Sequence, residues 1–176
     1  MRISIVVPPF DYGKSLYGLA NRKSFHNAVP LGAICVAAFL REAGHQVQVV
    51  DAPAHDFDIP RLCAEINRFV PDAIGLGCTS LIYPSACETA AVLKDRFGVP
   101  LFLGGAHASL FPEHVMENPV WDFAVFGEGE ETSVELVDRL SRGESLDGVA
   151  GVIYRDEQGK IVKNRGRVPV GQLDDA

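Results

Sequence analysis

The chain has 176 residues, of which 47% are hydrophobic and 22% charged, and its formal net charge is −7. This composition is typical of a folded domain with a buried core and excludes a disordered chain. The acidic balance argues against nucleic acid and anionic membranes as partners, because both require clustered Lys and Arg. No apolar run approaches the roughly 20 residues that span a bilayer, and no signal peptide is recognisable. The four cysteines lack close pairing, which favours reduced thiols and a cytoplasmic protein.

Strands and helices alternate along most of the chain. Apolar runs predict strands at 2–7, 46–50, 72–77, 101–103 and 121–126. Helical spacing of apolar residues predicts a first helix that begins at residue 30 and ends before Gly44. Four further helices are predicted at 59–69, 84–97, 112–117 and 130–140. Five such units predict an α/β fold, a doubly wound parallel sheet covered on both faces. We expect the flavodoxin-like strand order 2-1-3-4-5.

The last part of the chain has a different pattern. Two short β-prone runs at 151–155 and 160–163 flank a turn at 156–159, which predicts a β-hairpin appendage. Periodicity is lost from residue 165 onward, as in a linker. We therefore divide the chain into a Rossmann-like domain at 1–148, a hairpin extension at 149–164 and a truncated linker at 165–176.

Ligands of open parallel sheets bind outside the carboxyl ends of the strands, so the loops there form the candidate site. Thr79 and Ser80 follow the third strand, and their hydroxyls suit either a ligand or the cap of the next helix. Gly104 and Gly105 follow the fourth strand and serve either a close ligand approach or a tight turn. The stretch 127–130 opens the last helix with an acidic first turn, and its glycines fit either role.

The stretch from residue 8 to residue 29 has no predicted secondary structure. A loop of this length inside a compact α/β domain is uncommon and usually functional. It carries Tyr12, Tyr17 and Phe25, so it is suited to cover a large, flat ligand. A disordered surface loop is the alternative.

Familiar nucleotide motifs fail on this chain. A P-loop would need glycine where Pro8 stands, and a dinucleotide fingerprint at Gly127 would need glycine where Thr132 stands. A phospho-receiver domain would need an acidic pair at Pro8 and Pro9. No Ser-His-Asp set or carboxylate pair follows from the spacing, so no catalytic group is identified. His107 alone among the histidines falls on the predicted edge, where ligand contact and a structural role are equally open.

The order and spacing of several segments resemble a known family. They match the N-terminal cobalamin-binding domain of B12-dependent radical SAM enzymes, and they lie at 8–10, 30–32, 37–45, 71–75, 103–109 and 126–132. The hairpin at 151–155 and 159–161 is similar to the one that trails the same domain. The family includes methyltransferases and the anaerobic magnesium-protoporphyrin monomethyl ester cyclase. The resemblance covers nearly the whole chain.

This resemblance implies a module that binds cobalamin, with the cobalt carrying the chemistry, and that is not catalytic alone. It places the [4Fe-4S] cluster and S-adenosylmethionine in a radical SAM barrel of the same polypeptide. The dimethylbenzimidazole arm would thread beside Gly104 and Gly105. The implied cofactor contacts are Thr79, Ser80, Leu81, Gly104, Gly105, Ala106, His107, Gly127, Glu128 and Gly129. The Asp-x-His-x-x-Gly motif of the wider fold is missing, so the metal ligand is not assigned.

Two other classes of function stay open on the sequence. One is a stand-alone corrinoid carrier or sensor, and the other is a flavodoxin-like domain that binds FMN or another nucleotide. For the cobalamin site, we expect Gly105→Trp to remove binding while the fold stays intact.

Overall fold

A computed structural model of the chain describes residues 1–10 and 29–168, so the predicted cover at 11–28 and the linker beyond 168 lie outside the described residues. Two 3₁₀ turns lie at Pro53–His55 and Ser80–Ile82. The strands and helices in chain order are β1 Arg2–Val7, α1 Leu31–Glu42, β2 Gln46–Asp51, α2 Ile59–Phe69, β3 Ala73–Gly77, α3 Tyr83–Phe97, β4 Leu101–Gly104, α4 Ala106–Leu110, α5 Pro112–Glu117, β5 Phe123–Val125, α6 Glu130–Arg142, β6 Val152–Arg155 and β7 Ile161–Lys163.

The strands form one sheet in the order β2-β1-β3-β4-β5-β6-β7. Strands β1 to β5 are parallel, which confirms the predicted doubly wound core and its strand order. The predicted hairpin is present as β6 and β7, but both strands add to the sheet in antiparallel fashion and bring it to seven strands. Pairing with β6 satisfies the backbone groups of β5 that would otherwise form an open edge.

Helices cover both faces of the sheet. One face packs against α2, α3 and α5 through a cluster that includes Leu62, Leu93 and Met116. The other face packs against α1 and α6 through Leu40 and Leu136. Successive residues of each strand therefore alternate between two cores, as expected for a buried parallel sheet. No helix of the described ranges is long and apolar enough to cross a bilayer.

The region around β5 differs from the prediction. The expected strand at 121–126 is only Phe123–Val125, because Trp121 lies in the core just before it and is fully buried. Asp122 accepts a hydrogen bond from the Leu101 N–H at 2.7 Å and forms an ion pair with Lys94. The Asp122 N–H in turn donates to the Leu101 carbonyl at 3.0 Å, so Asp122 bonds both main-chain groups of Leu101 just before the strand begins. The short helix α4 was not predicted.

Several contacts fix the segment after β7 to the body of the domain, including bonds of the Asn164 side chain with the Leu146 carbonyl and the Gly148 N–H. The Gly151 N–H donates to the carbonyl oxygen of Arg165 at 2.8 Å. The Arg167 guanidinium, 20% exposed, contacts the Thr132 hydroxyl at 2.8 Å and the carboxylates of Glu131 and Glu135 on α6 at 3.1 and 2.6 Å. Because one guanidinium holds three groups of one helix, residues 164–168 are attached to α6.

We expect Gly151→Ala to destabilise the domain more than Gly159→Ala. Both glycines have positive φ, +81° and +78°, so each substitution carries the cost of a left-handed alanine, about 1 kcal/mol. A Cβ at Gly151 would also lie 2.8 Å from the Thr132 hydroxyl oxygen, whereas at Gly159 it would meet nothing within 4 Å. Urea unfolding of both variants measures the difference, and equal losses would show that the tight packing at Gly151 contributes nothing.

Candidate cofactor-binding site

A cavity of about 710 Å³ opens at the carboxyl ends of the parallel strands. It lies between the sheet and helices α1 and α6, and it is lined from the sheet side by residues of β1, β3, β4 and β5. The loops that follow β3, β4 and β5, called here the rim loops, border its mouth. Its volume lies within the range of about 300–1,000 Å³ that is usual for small-molecule sites.

The cavity owes its depth to two glycines that lie side by side on adjacent strands of the sheet. Gly77 of β3 and Gly104 of β4 are paired in the ladder, and both line the cavity. A Cβ added at either position would meet nothing within 4 Å. We call the open space over this pair the glycine slot. Two absent side chains thus leave a channel on the face of the sheet that α1 and α6 cover.

The inner end of the glycine slot is closed by an aromatic ring. Gly75 precedes Gly77 by two residues, so the two share a face of β3. A Cβ at Gly75 would lie 2.4 Å from the Phe102 ring and 3.1 Å from the Ile5 side chain. Phe102 therefore lies across Gly75, and it is only 3% exposed although it lines the cavity. The slot ends on an apolar floor.

The rim loops after β3 and β4 are hydrogen-bonded to each other through the main chain. The Cys78 N–H donates to the Gly104 carbonyl at 3.2 Å, and the His107 N–H donates to the Cys78 carbonyl at 3.2 Å. Gly105 has φ +91°, and a Cβ there would lie 2.8 Å from the Cys78 carbonyl oxygen. The expectation that Gly105→Trp leaves the fold intact is therefore wrong, because any side chain at this position strains the backbone and collides with Cys78.

Ser109 joins the rim loops after β4 and β5. Its hydroxyl donates to the Gly105 carbonyl at 3.0 Å and accepts from the Gly127 N–H at 3.1 Å. One side chain thus holds two of the predicted cofactor glycines at a fixed separation across the cavity mouth.

His107 lies below the rim loops, where its side chain contacts other side chains of the protein. Its Nδ1 is 3.0 Å from the Ser80 hydroxyl oxygen, and its ring stacks on Tyr83 with centroids 3.9 Å apart. Burial, together with the nearby His114, lowers the pKa of His107. Burial and the neighbouring Cys87 raise the pKa of Tyr83. Both rings are therefore neutral at pH 7 and connect α4 with the start of α3.

Cys78 lines the cavity and is 5% exposed. Burial, with a further contribution from Cys87, raises the pKa of its thiol to about 12. The thiol is therefore protonated at neutral pH and is a poor nucleophile.

The structure brings most of the predicted site residues to one cavity. The predicted residues that line it are Thr79, Gly104, Gly105, Ala106, Gly127, Glu128 and Gly129. Three others are not part of its described lining: Ser80 contacts His107 behind the rim, and Leu81 is 47% exposed to solvent. No histidine occurs in the lining formed by the described residues.

Several lining residues were missed from the sequence, among them Asp51, Gly75, Gly77 and Ser133. For Gly75 and Gly77 a signal was present, because a Gly-x-Gly pair inside a strand removes side chains from one face and often marks a close approach to a ligand. Asp51 is the last residue of β2 and lines the cavity on the side away from the rim loops. Ser133 carries no local signal, because it occupies a buried position of an amphipathic helix.

A cavity at the carboxyl edge of a doubly wound sheet, at the point where the strand order reverses, defines a cofactor-binding α/β domain. Residues 19–137 match the model of the B12 binding domain family. The chain belongs to this family, and cobalamin is the cofactor that this membership implies. The open glycine slot is a cradle that a Cβ would fill, so the residues present fit a bulky group with an inserted arm. The flavin alternative is not favoured.

Curated relatives agree with this assignment. An uncharacterized methyltransferase of Pyrococcus horikoshii is 33% identical over 99% of this chain and 38% of that protein. The anaerobic magnesium-protoporphyrin IX monomethyl ester cyclase of Synechocystis is 30% identical over 90% of this chain and 32% of that protein. The chain thus spans about a third of the length of these relatives.

Two solved structures share the fold. The radical S-adenosylmethionine methyltransferase TsrM from Kitasatospora setae, with cobalamin and a [4Fe-4S] cluster bound, superposes with a TM-score of 0.76 at 18% identity over 98% of this chain and 30% of that one. The radical enzyme OxsB with aqua-cobalamin and S-adenosylmethionine bound gives a TM-score of 0.76 at 22% identity over 96% and 22% of the two chains.

We expect stability to fall with pH below about 6.5 in part because of His107. Its pKa is lowered in the folded state, so the unfolded chain binds the proton first and acid favours unfolding. His107→Gln removes this titration and keeps a hydrogen-bonding group toward Ser80. The loss of unfolding free energy between about pH 7.5 and about pH 5.5 should shrink by up to about 1 kcal/mol.

Urea unfolding at the two pH values measures this change. An unchanged dependence in His107→Gln would contradict the assignment.

Proposed function

We propose that this chain holds the cobalamin of a B12-dependent radical SAM enzyme. The single observation that carries the proposal is the glycine slot, formed by Gly77 and Gly104 and bordered by rim loops of glycine and hydroxyl residues. Bound cobalamin would supply a cobalt centre for methyl transfer or radical chemistry. The chain's own part is to bind and orient the cofactor, and among the described residues no catalytic group is assigned.

The polarity of the cavity supports a corrinoid. The inner walls are apolar, with Val36, Phe102 and Val125 among the residues that line them. The carboxylates of Asp51, Glu128 and Glu130 belong to residues at the rim and not on the buried floor. Corrinoids carry neutral amides around the ring, and carboxylates and backbone carbonyls are acceptors for such donors. An apolar slot with polar groups at its mouth therefore matches a large ligand with an apolar aromatic base at the end of its arm and an amide-rich edge.

The relatives support a larger polypeptide. Because this chain matches only about a third of their length, we infer that a radical SAM barrel in cis binds the [4Fe-4S] cluster and S-adenosylmethionine. In this proposal residues 1–148 form the cobalamin-binding unit, 149–164 extend it, and 165–176 lead to the barrel. The full protein would then be a methyltransferase or a cyclase, located in the cytoplasm, with no nucleic acid or membrane partner.

A stand-alone corrinoid carrier shares the same slot and differs in the absence of a barrel. Mass measurement of the protein made from the native gene separates the two, because a carrier would have the mass of this domain alone. The flavin alternative is tested by titrating FMN and recording flavin fluorescence, which we expect to stay unquenched.

We expect Gly77→Leu and Gly104→Leu to weaken cobalamin binding at least about tenfold, because each side chain fills space that the arm would otherwise occupy. Neither residue has a positive φ or a close neighbour, so both variants should fold. Titration of the purified chain with hydroxocobalamin, followed by its visible spectrum, measures the affinity.

Gly166→Leu is the matched control. Gly166 also lacks a positive φ, its added Cβ would make only an ordinary contact of 3.8 Å with Phe126, and it does not line the cavity. This variant should bind as the wild type does. Wild-type affinity in both slot variants would refute the proposed use of the slot, and a wild-type chain that binds no corrinoid would refute the function itself.

A further inference from the structure

The rim loop after β5 is held in place by a side chain that lies outside the cavity. This loop and the first turn of α6 line the cavity at Gly127, Glu128, Gly129 and Glu130. The N-cap residue of α6 is Gly129, which has no side chain to cap the helix. Thr132 is fully buried, and its hydroxyl donates to the Glu128 carbonyl at 3.1 Å. This bond fixes the main chain of the loop where it enters the helix.

The same hydroxyl accepts a hydrogen bond from Arg167, in the segment after β7. The Arg167 Nε lies 2.8 Å from the Thr132 hydroxyl oxygen. The guanidinium, the hydroxyl and the Glu128 carbonyl therefore form a chain of two hydrogen bonds, called here the Arg167 relay. Because the cationic donor polarises the hydroxyl, the bond from the hydroxyl to the carbonyl is strengthened. Neither Arg167 nor Thr132 belongs to the described lining of the cavity.

The contacts around the Arg167 relay leave it little freedom to rearrange. The other two guanidinium nitrogens bond the carboxylates of Glu131 and Glu135 at 3.1 and 2.6 Å, which fixes the plane of the group against α6. The Thr132 hydroxyl packs against Gly151, because a Cβ there would lie only 2.8 Å from its oxygen. The Gly151 N–H donates to the Arg165 carbonyl at 2.8 Å. The rim loop and the segment after β7 are thus held by one set of contacts.

We propose that Arg167 is a positioning residue for the cofactor, which acts through Thr132 to hold the rim loop after β5 in the conformation that binds cobalamin. This role rests on the proposed function. Without the relay the loop populates other conformations, and the apparent affinity falls in proportion to the binding-competent fraction. The coupling is reciprocal, so bound cobalamin strengthens the attachment of the segment after β7. In the proposed enzyme that segment leads to the barrel, and the relay connects it with the cofactor site.

The first test measures hydroxocobalamin affinity in single and double variants of the relay. Arg167→Gln and Thr132→Val each remove one member, and we expect each to bind about three- to tenfold more weakly. Because both act through the same carbonyl, the double variant should bind no more weakly than the weaker single variant. Thr132→Ser keeps the hydroxyl and should bind within about twofold of the wild type.

Arg139→Gln is the matched control. Arg139 also contacts Glu135, at 3.7 Å, and it donates to the Ser145 carbonyl at 2.9 Å from the last turn of α6, outside the described cavity lining. It should bind hydroxocobalamin as the wild type does. Equal weakening in Arg139→Gln would show that loss of helix contacts alone lowers affinity, and it would overturn the positioning role.

Reciprocity supplies a second readout that a purely structural role would not change. Arg165 is exposed, so trypsin can cleave after it when the segment detaches locally. Saturating hydroxocobalamin should slow this cleavage in the wild type at least about twofold and leave it unchanged in Thr132→Val.

The outcomes separate the positioning role from the proposed function. Wild-type affinity in both Arg167→Gln and Thr132→Val, additive weakening in the double variant, or equal protection from trypsin in the wild type and Thr132→Val overturns the positioning role and leaves the proposed function standing. A wild-type chain that binds no hydroxocobalamin overturns both.

Discussion

The site depends on the absence of side chains at two paired positions in the centre of a buried sheet. Parallel sheets covered on both faces normally fill every layer with branched apolar residues. Here Gly77 and Gly104 leave one layer unfilled on the face toward α1 and α6. Each missing large apolar side chain forgoes about 1.5–3 kcal/mol of burial. An inserted apolar group would restore that burial, so the gap in the core and the affinity for a ligand have the same physical origin.

The shape of the cavity mouth depends on a position where two backbone segments can approach each other closely. Gly105 packs directly on the main chain of Cys78, and this contact brings the loops after β3 and β4 together at the mouth. The thiol of Cys78 is neutral, and the imidazole of His107 is held behind the rim by Ser80. The interior therefore offers shape and single hydrogen bonds instead of charge. Such a site suits a cofactor that brings its own reactive centre.

The sequence was sufficient for the framework of this fold. Apolar runs bounded by proline and glycine located the five parallel strands, and the rule for doubly wound sheets supplied their order. The sequence was insufficient for features that depend on tertiary packing. The hairpin joins the sheet because β5 would otherwise present an open edge. β5 is short because Trp121 is buried in the core and Asp122 bonds to the main chain of Leu101. The direction of the His107 side chain depends on the five-residue helix α4, which has no periodic signal of its own.

The candidate site residues likewise divide into those that the sequence reveals and those that require the structure. The glycines of the rim loops stand out because they follow strands, where ligands of this fold bind. Gly75 and Gly77 lie inside a strand, and which face they open is known only when the register with β4 is known. Ser133 looks like any small residue on the buried side of a helix. That it lines the cavity is known only from the way in which α6 packs against the sheet.

The Ser109 bridge has a consequence for how a ligand is received. By joining the Gly105 carbonyl to the Gly127 N–H, it orders two loops in the free domain. Loops ordered in this way lose their conformational entropy when the chain folds, so that loss does not recur on association. The mouth of the cavity is thus preorganised. When a ligand binds, we expect the backbone on this side of the cavity to move little.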